Sequence, residues 1–211
     1  MIKRVLKIVI GIELVYLLLV NGALQLQLTQ DLVNKIRPEK FYVTWEHAWS
    51  WYPFRVHAEG IFANGQARTQ QWEVTATSAS GSISVLPLIL KHVYLSDIQA
   101  ENIDYRQRPR LKPDIDYSSK LAYFPEIQGR EVVPVETAEQ KKKRPWKIHM
   151  NGLQALGDHR FWVYNMQGTA SGTAAGNLYT ETRRGAFWLD VEQFELDLGP
   201  GFLNGNAEAF H

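Results

Sequence analysis

The chain has no cysteine. A disulfide scaffold, a thiolate metal site and a cysteine nucleophile are thereby excluded. It also lacks an excess of either charge: 23 lysines and arginines face 22 acidic residues, for a formal net charge of +1. No global field draws nucleic acid or an acidic surface to it. The signatures of common chemistries are missing as well. G-x-S-x-G, H-E-x-x-H, an EF-hand loop and the phosphate loop do not occur. His47, His57, His92, His149 and His159 are scattered without metal-ligand spacing. The expectation is a non-enzymatic protein with no metal, no cofactor and no nucleic-acid partner. Asp190, Glu192, Glu195 and Asp197 supply enough carboxylates for a glycosidase pair. At wet strand positions they read first as solubilising charge.

What the chain has instead begins with an apolar run. Residues 5–20 are apolar except for Lys7, Gly11 and Glu13. Extended to Leu24, the run is about 20 residues, or about 30 Å of helix, which matches a hydrocarbon core. Lys3, Arg4 and Lys7 lie at its start, and few cations follow before Lys35. The positive-inside rule therefore places the N-terminus in the cytoplasm and the body across the membrane. A cleaved signal peptide is the competing reading. Its small-residue site, Val20-Asn21-Gly22-Ala23, is weak and the run is long for a signal core, so an anchor is favoured.

After a short helix or linker that stops at Pro38, the pattern changes to period two. Phe54, Val56 and Ala58 alternate with Arg55, His57 and Glu59. Trp72 and Val74, Ile83 and Val85, and Val93 and Leu95 each alternate with polar neighbours. So do Phe187, Leu189 and Val191, then Phe194, Leu196 and Leu198. These are strands with one apolar and one wet face. Turn signals such as Asn64-Gly65, Ser80-Gly81, Gly157-Asp158 and Arg184-Gly185 separate them and predict antiparallel meanders. The apolar phase slips by one residue between Val191 and Phe194, which a bulge would absorb.

Three segments stand apart. Residues 106–146 hold five prolines and end in Lys141-Lys142-Lys143-Arg144, which reads as a long surface loop with a solvated charge run. Gly168, Ala170, Gly172, Ala174 and Gly176 share one strand face. A face without bulk marks a sharp bend or a close approach. Trp45, Trp49, Trp51, Tyr52 and Phe54 form the densest aromatic cluster. They read first as the core of a β unit, and otherwise as an interfacial belt or a lining for a greasy ligand.

The order of these features carries a resemblance. An anchor leads to Tyr52-Pro53-Phe54-Arg55-Val56-His57-Ala58-Glu59-Gly60, then Ser82-Ile83-Ser84-Val85-Leu86-Pro87-Leu88 and Val93-Tyr94-Leu95-Ser96-Asp97-Ile98. Phe124-Pro125-Glu126-Ile127-Gln128-Gly129 and Trp146-Lys147-Ile148-His149-Met150 follow. Over most of its length the chain resembles the start of AsmA-like envelope proteins, relatives of bridge-like lipid-transfer proteins. Members of that family are generally longer, so the sequence reads as an N-terminal fragment or a short member. The resemblance implies a curved, open antiparallel sheet, a groove or half-barrel, whose apolar face holds phospholipid acyl chains. The implied lining is Val56, Trp72, Val74, Ile83, Val85, Leu95, Phe187, Leu189, Val191, Phe194 and Leu196. The bland alternative for these residues is an ordinary packed β core.

The expected organisation is mainly β. It comprises a transmembrane anchor (1–28), a linker (29–40), a first β unit (41–105), a proline-rich charged loop (106–145) and a second β unit (146–211). The expected setting is the inner membrane, single-pass through residues 5–24, with the β domain in the periplasm. The expected partner is lipid. The alternative is an assembly module that binds another envelope protein.

Overall fold

The computed structural model describes residues 2–36, 38–67, 69–84, 86–130, 145–181 and 186–203. The apolar run forms helix α1 (Ile2–Gln25), with 23 of its residues, Lys3–Gln25, long and apolar enough to cross a membrane and unburied by the rest of the chain. Leu26 turns extended and breaks it, and α2 (Gln27–Lys35) follows. The remainder is mainly β. Strands β1 (Phe41–Thr44), β2 (His47–Trp49), β3 (Arg55–Gln66), β4 (Gln70–Ser84) and β5 (His92–Glu101) come first. Then come β6 (Asp104–Pro109), a single helical turn α3 (Ser118–Leu121), β7 (Lys147–Val163), β8 (Met166–Glu181), β9 (Phe187–Leu198) and β10 (Phe202–Leu203).

All ten strands belong to one sheet, in the order β1-β3-β4-β5-β7-β8-β10. β2 adds beside β3, β6 lies between β4 and β7, and β9 pairs with β8. Most neighbours are antiparallel, as the short turns require. The exceptions are β5 with β7 and β6 with β7, which run parallel. The long connection across 110–146 is what permits them, since parallel neighbours need a crossover. The sheet is therefore mixed, and the two expected β units are joined edge to edge. The expected boundary after residue 105 falls inside β6.

Two rows of irregularity cross the strands. In one, the register shifts between Ser80 and Ser82 of β4, between Met150 and Leu153 of β7, and between Ala175 and Gly176 of β8. Asp97 and Gly152 sit in this row with positive φ (51° and 62°). The last shift lies opposite Val191 and Gln193, where the apolar phase slips in the sequence. Phe187, Leu189 and Val191 thus share a face with Phe194, Leu196 and Leu198. The other row runs through Gly60, Thr77, Asn102, Gly157 and Gly172. Gly157 pairs with Gly172 in it, and Asn102 Nδ2 donates to Thr77 Oγ1 at 3.3 Å. Bulges bend the strand that carries them and tighten its twist.

Among the described residues the buried apolar side chains are few: Ala48, Ala76, Leu111, Phe124, Pro125, Ile127 and Ala170. Beyond the second row of irregularity, one face of the sheet is buried but polar. Asn64, Gln66, Gln71, Glu73 and Arg108 lie there in register, under residues 110–130. Gln128 N donates to Glu73 Oε2 (3.0 Å), Asn64 Nδ2 donates to the Gln128 carbonyl (2.8 Å), and Arg108 donates to the Arg130 carbonyl (2.7 Å). Each buried polar atom needs such a partner. The first half of the expected surface loop is therefore a cover, with Ile127 only 2% exposed. Residues 131–144, including the basic run, lie outside the described residues.

Candidate functional site

Period-two patterning and register together decide which candidate residues meet. Ile83 pairs with Leu95, Leu95 with Met150, Met150 with Leu178, and Leu178 with Leu189. This gives one aliphatic row across five strands. Val56 pairs with Gly81, two residues from Ile83, and stands on the same face. Phe187 and Val191 flank Leu189 on that face, and Phe194 and Leu196 continue it opposite Ala174 and Gly172. Val85 lies outside the described residues. Trp72 and Val74 are in other rows, beyond the second line of irregularity. There Val74 aligns with Tyr105 and Phe161, and Trp72 with Gln107 and Val163. Met150 and Leu178 belong to the face and were missed, because Gly152 and Asn177 interrupt the alternation beside them.

This face is not a closed core. Phe187, Leu189, Val191 and Phe194 are exposed, Phe194 by 62%. Among the described residues no second sheet or amphipathic helix lies over them. Two clefts of about 310 Å³ each lie elsewhere: one beside Asp104, Arg106 and Arg160, the other between Tyr42, Asn64 and Arg130. At two glycines of the small-residue face of β8 the neighbouring strand β9 leaves no room for a side chain. A Cβ on Gly172 would come within 2.1 Å of the Glu195 carbonyl oxygen, and one on Gly176 within 2.2 Å of the Asp190 carbonyl oxygen. The β9 backbone closes in at these two positions and excludes a side chain there.

The opposite face of the aliphatic row carries rings. Tyr94 stacks on His149 at 4.1 Å, His149 meets Tyr179 at 4.7 Å, and Tyr179 stacks on Trp188 at 5.7 Å. Burial holds His149 below the ordinary imidazole range, and the neighbouring His92 and Lys147 charges push it the same way. Its Nε2 finds no hydrogen-bond partner among the described residues. Tyr179 donates to Glu181, which pushes its hydroxyl up to about 12. No group of three or more metal-ligating side chains occurs among the described residues.

The other edge of the sheet carries a feature that patterning did not show. Four helix amides reach the backbone of residues 43–50, in and beside the edge strands β1 and β2. Asn21 donates to the Ser50 carbonyl and accepts from its N–H (2.9 and 2.7 Å). Asn34 does the same at Val43 (both 2.8 Å). Gln25 donates to Ala48 and Gln30 to Trp45. The spacings 21/25 and 30/34 put each pair on one helical face. Tyr16 Oη accepts from the Phe54 N–H at 3.1 Å, and Trp45 Nε1 donates to the Leu24 carbonyl at 2.9 Å. The helix end and the sheet are thus one unit. No family model matches the chain, and no curated protein or solved structure matches it either.

Proposed function

We propose that this is a membrane-anchored envelope protein whose apolar sheet face binds lipid acyl chains, for lipid transfer or homeostasis. The observation that carries the reading is the exposed aliphatic and aromatic face running along β9, in a chain that also carries a helix apolar enough to span a bilayer. In water a contiguous face of that kind is costly and marks an interaction site. Its shape suits chains rather than a compact ligand, since among the described residues it extends along the strands with no enclosing wall. The row of register shifts, with the second row of positive-φ residues beside it, supports a sheet curved into an open groove. The order of motifs resembling AsmA-like proteins supports the same reading. On the positive-inside rule, α1 leaves the N-terminus in the cytoplasm and the sheet on the far, periplasmic side. A single cysteine at Ser119, labelled by an impermeant reagent applied from that side, tests the orientation.

The direct test of function is to purify the full chain in mild detergent and extract it with organic solvent. Phospholipid should co-purify in stoichiometric amount and decline when Phe194 is replaced by Arg. Repeated extracts without lipid would count against the proposal. One observation favours the alternative of an assembly module. Among the described residues β9 has a neighbour on one side only, and an edge strand of this kind can accept another strand.

A further inference from the structure

Six of the large apolar side chains exposed outside α1 and β9, namely Trp51, Tyr52, Phe54, Leu86, Ile89 and Leu90, lie in two loops at one end of the sheet. The strand register shows which end. Arg55, the first residue of β3, pairs with Ser82, and Ser84 pairs with Tyr94, so residues 50–54 and 86–90 emerge side by side. Phe187 opens β9 at the same end, through Val93, Ile148 and Thr180. Trp51 is 69% exposed, and Leu86, Ile89 and Leu90 are 78%, 82% and 69% exposed. Tyr52 and Phe54 are also half exposed, so the expected core role of this aromatic cluster is not what Trp51, Tyr52 and Phe54 perform.

Hydrogen bonds fix this end against α1. Asn21 holds Ser50 and Tyr16 holds the Phe54 N–H. Tyr16 lies nine residues before Gln25, about 13 Å back along the helix axis. It is therefore well inside the Lys3–Gln25 stretch that is apolar enough to cross a membrane. A bilayer that takes up this helix necessarily reaches the loop tied to it. The chemistry of both loops suits that position. Trp and Tyr favour the head-group level. The segments 50–56 and 84–92 carry Arg55 and Lys91 and no carboxylate, which complements anionic head groups.

We propose that residues 50–54 and 86–90 form a rim that inserts into the near leaflet of the bilayer α1 spans, seating the end of the sheet in the membrane interface. This rests on reading α1 as an anchor, and the test separates the two. The cysteine-free chain allows single labels. Cysteines at Val15, Ile89 and Ser119 each receive a polarity-sensitive fluorophore, in the full chain reconstituted into phosphatidylcholine–phosphatidylglycerol vesicles. Some of the lipids carry a nitroxide quencher high on the acyl chain. The expected result is blue-shifted emission and strong quenching at Val15 and Ile89, with neither at Ser119, in the cover at the opposite end of the sheet. Quenching at Val15 with Ile89 as unaffected as Ser119 would keep the anchor and overturn the rim. No quenching at either Val15 or Ile89 would overturn both. Quenching at Ile89 alone would retain the rim as a membrane contact and remove the anchor.

Discussion

Gly172 shows what one missing side chain does in this sheet. Its φ of +139° is one that L side chains rarely adopt, and the space its Cβ would need holds the Glu195 carbonyl. Gly172→Val should therefore lower the unfolding free energy by about 1–3 kcal/mol through overpacking and backbone strain. An unchanged melting temperature would mean that β9 does not close on β8 there. His149 offers a second test, through pH. Its pKa is held below the ordinary 6.5, so the unfolded imidazole binds a proton more readily than the folded one. The stability it contributes is fully present above about pH 6.5 and is lost as pH falls through that value towards the folded pKa. His149→Phe keeps a ring between Tyr94 and Tyr179 and removes the titration. The variant's melting temperature should fall less than the parent's between about pH 7.5 and about pH 5.5, and equal slopes would assign the loss to other groups.

At the scale of elements, the amide contacts between the helices and the β1–β2 edge decide how the body is mounted. An edge strand presents unpaired N–H and C=O groups, and here Asn21, Gln25, Gln30 and Asn34 occupy them. Asn34→Ala strips both partners from Val43 and should cost about 1–3 kcal/mol, because those backbone groups sit partly away from water. Hydrogen exchange at the Val43 amide reads the change directly: it should quicken markedly, while exchange in β7 stays the same. Equal rates would show that the edge is held by packing alone. Little of this was legible in the sequence. Asn21 stands in a small-residue stretch that also resembles a cleavage site, and amides spaced four apart are common on solvated helices. Strand positions were easier, because Phe187, Leu189 and Val191 must share a face. The one-residue slip before Phe194 announced its own bulge. β6 was hidden by its composition: Asp104 to Pro109 is polar because it faces the cover of residues 110–130 on one side, which inverts the usual alternation. The parallel pairing of β5 and β6 with β7 is likewise set by contacts distant in sequence, which no local pattern encodes.

For the whole molecule, the central claim is that the apolar face of the sheet holds acyl chains. The one-sided strands pointed to such a face. They did not show that it stays uncovered, because a covered face has the same alternation. A rim seated in the bilayer would bring its end of this face near the membrane, so lipid contact at Phe187 would prove little. Phe194 is seven residues further along β9, about 23 Å away at strand rise. Glu195 is its neighbour on the other face. The decisive measurement is photo-cross-linking of the full chain in its native membrane, with a photoreactive residue at Phe194 or at Glu195, followed by mass spectrometry of the adducts. The account predicts phospholipid attached through Phe194 and none through Glu195. Equal labelling at the two positions, or adducts to protein alone at Phe194, would contradict it.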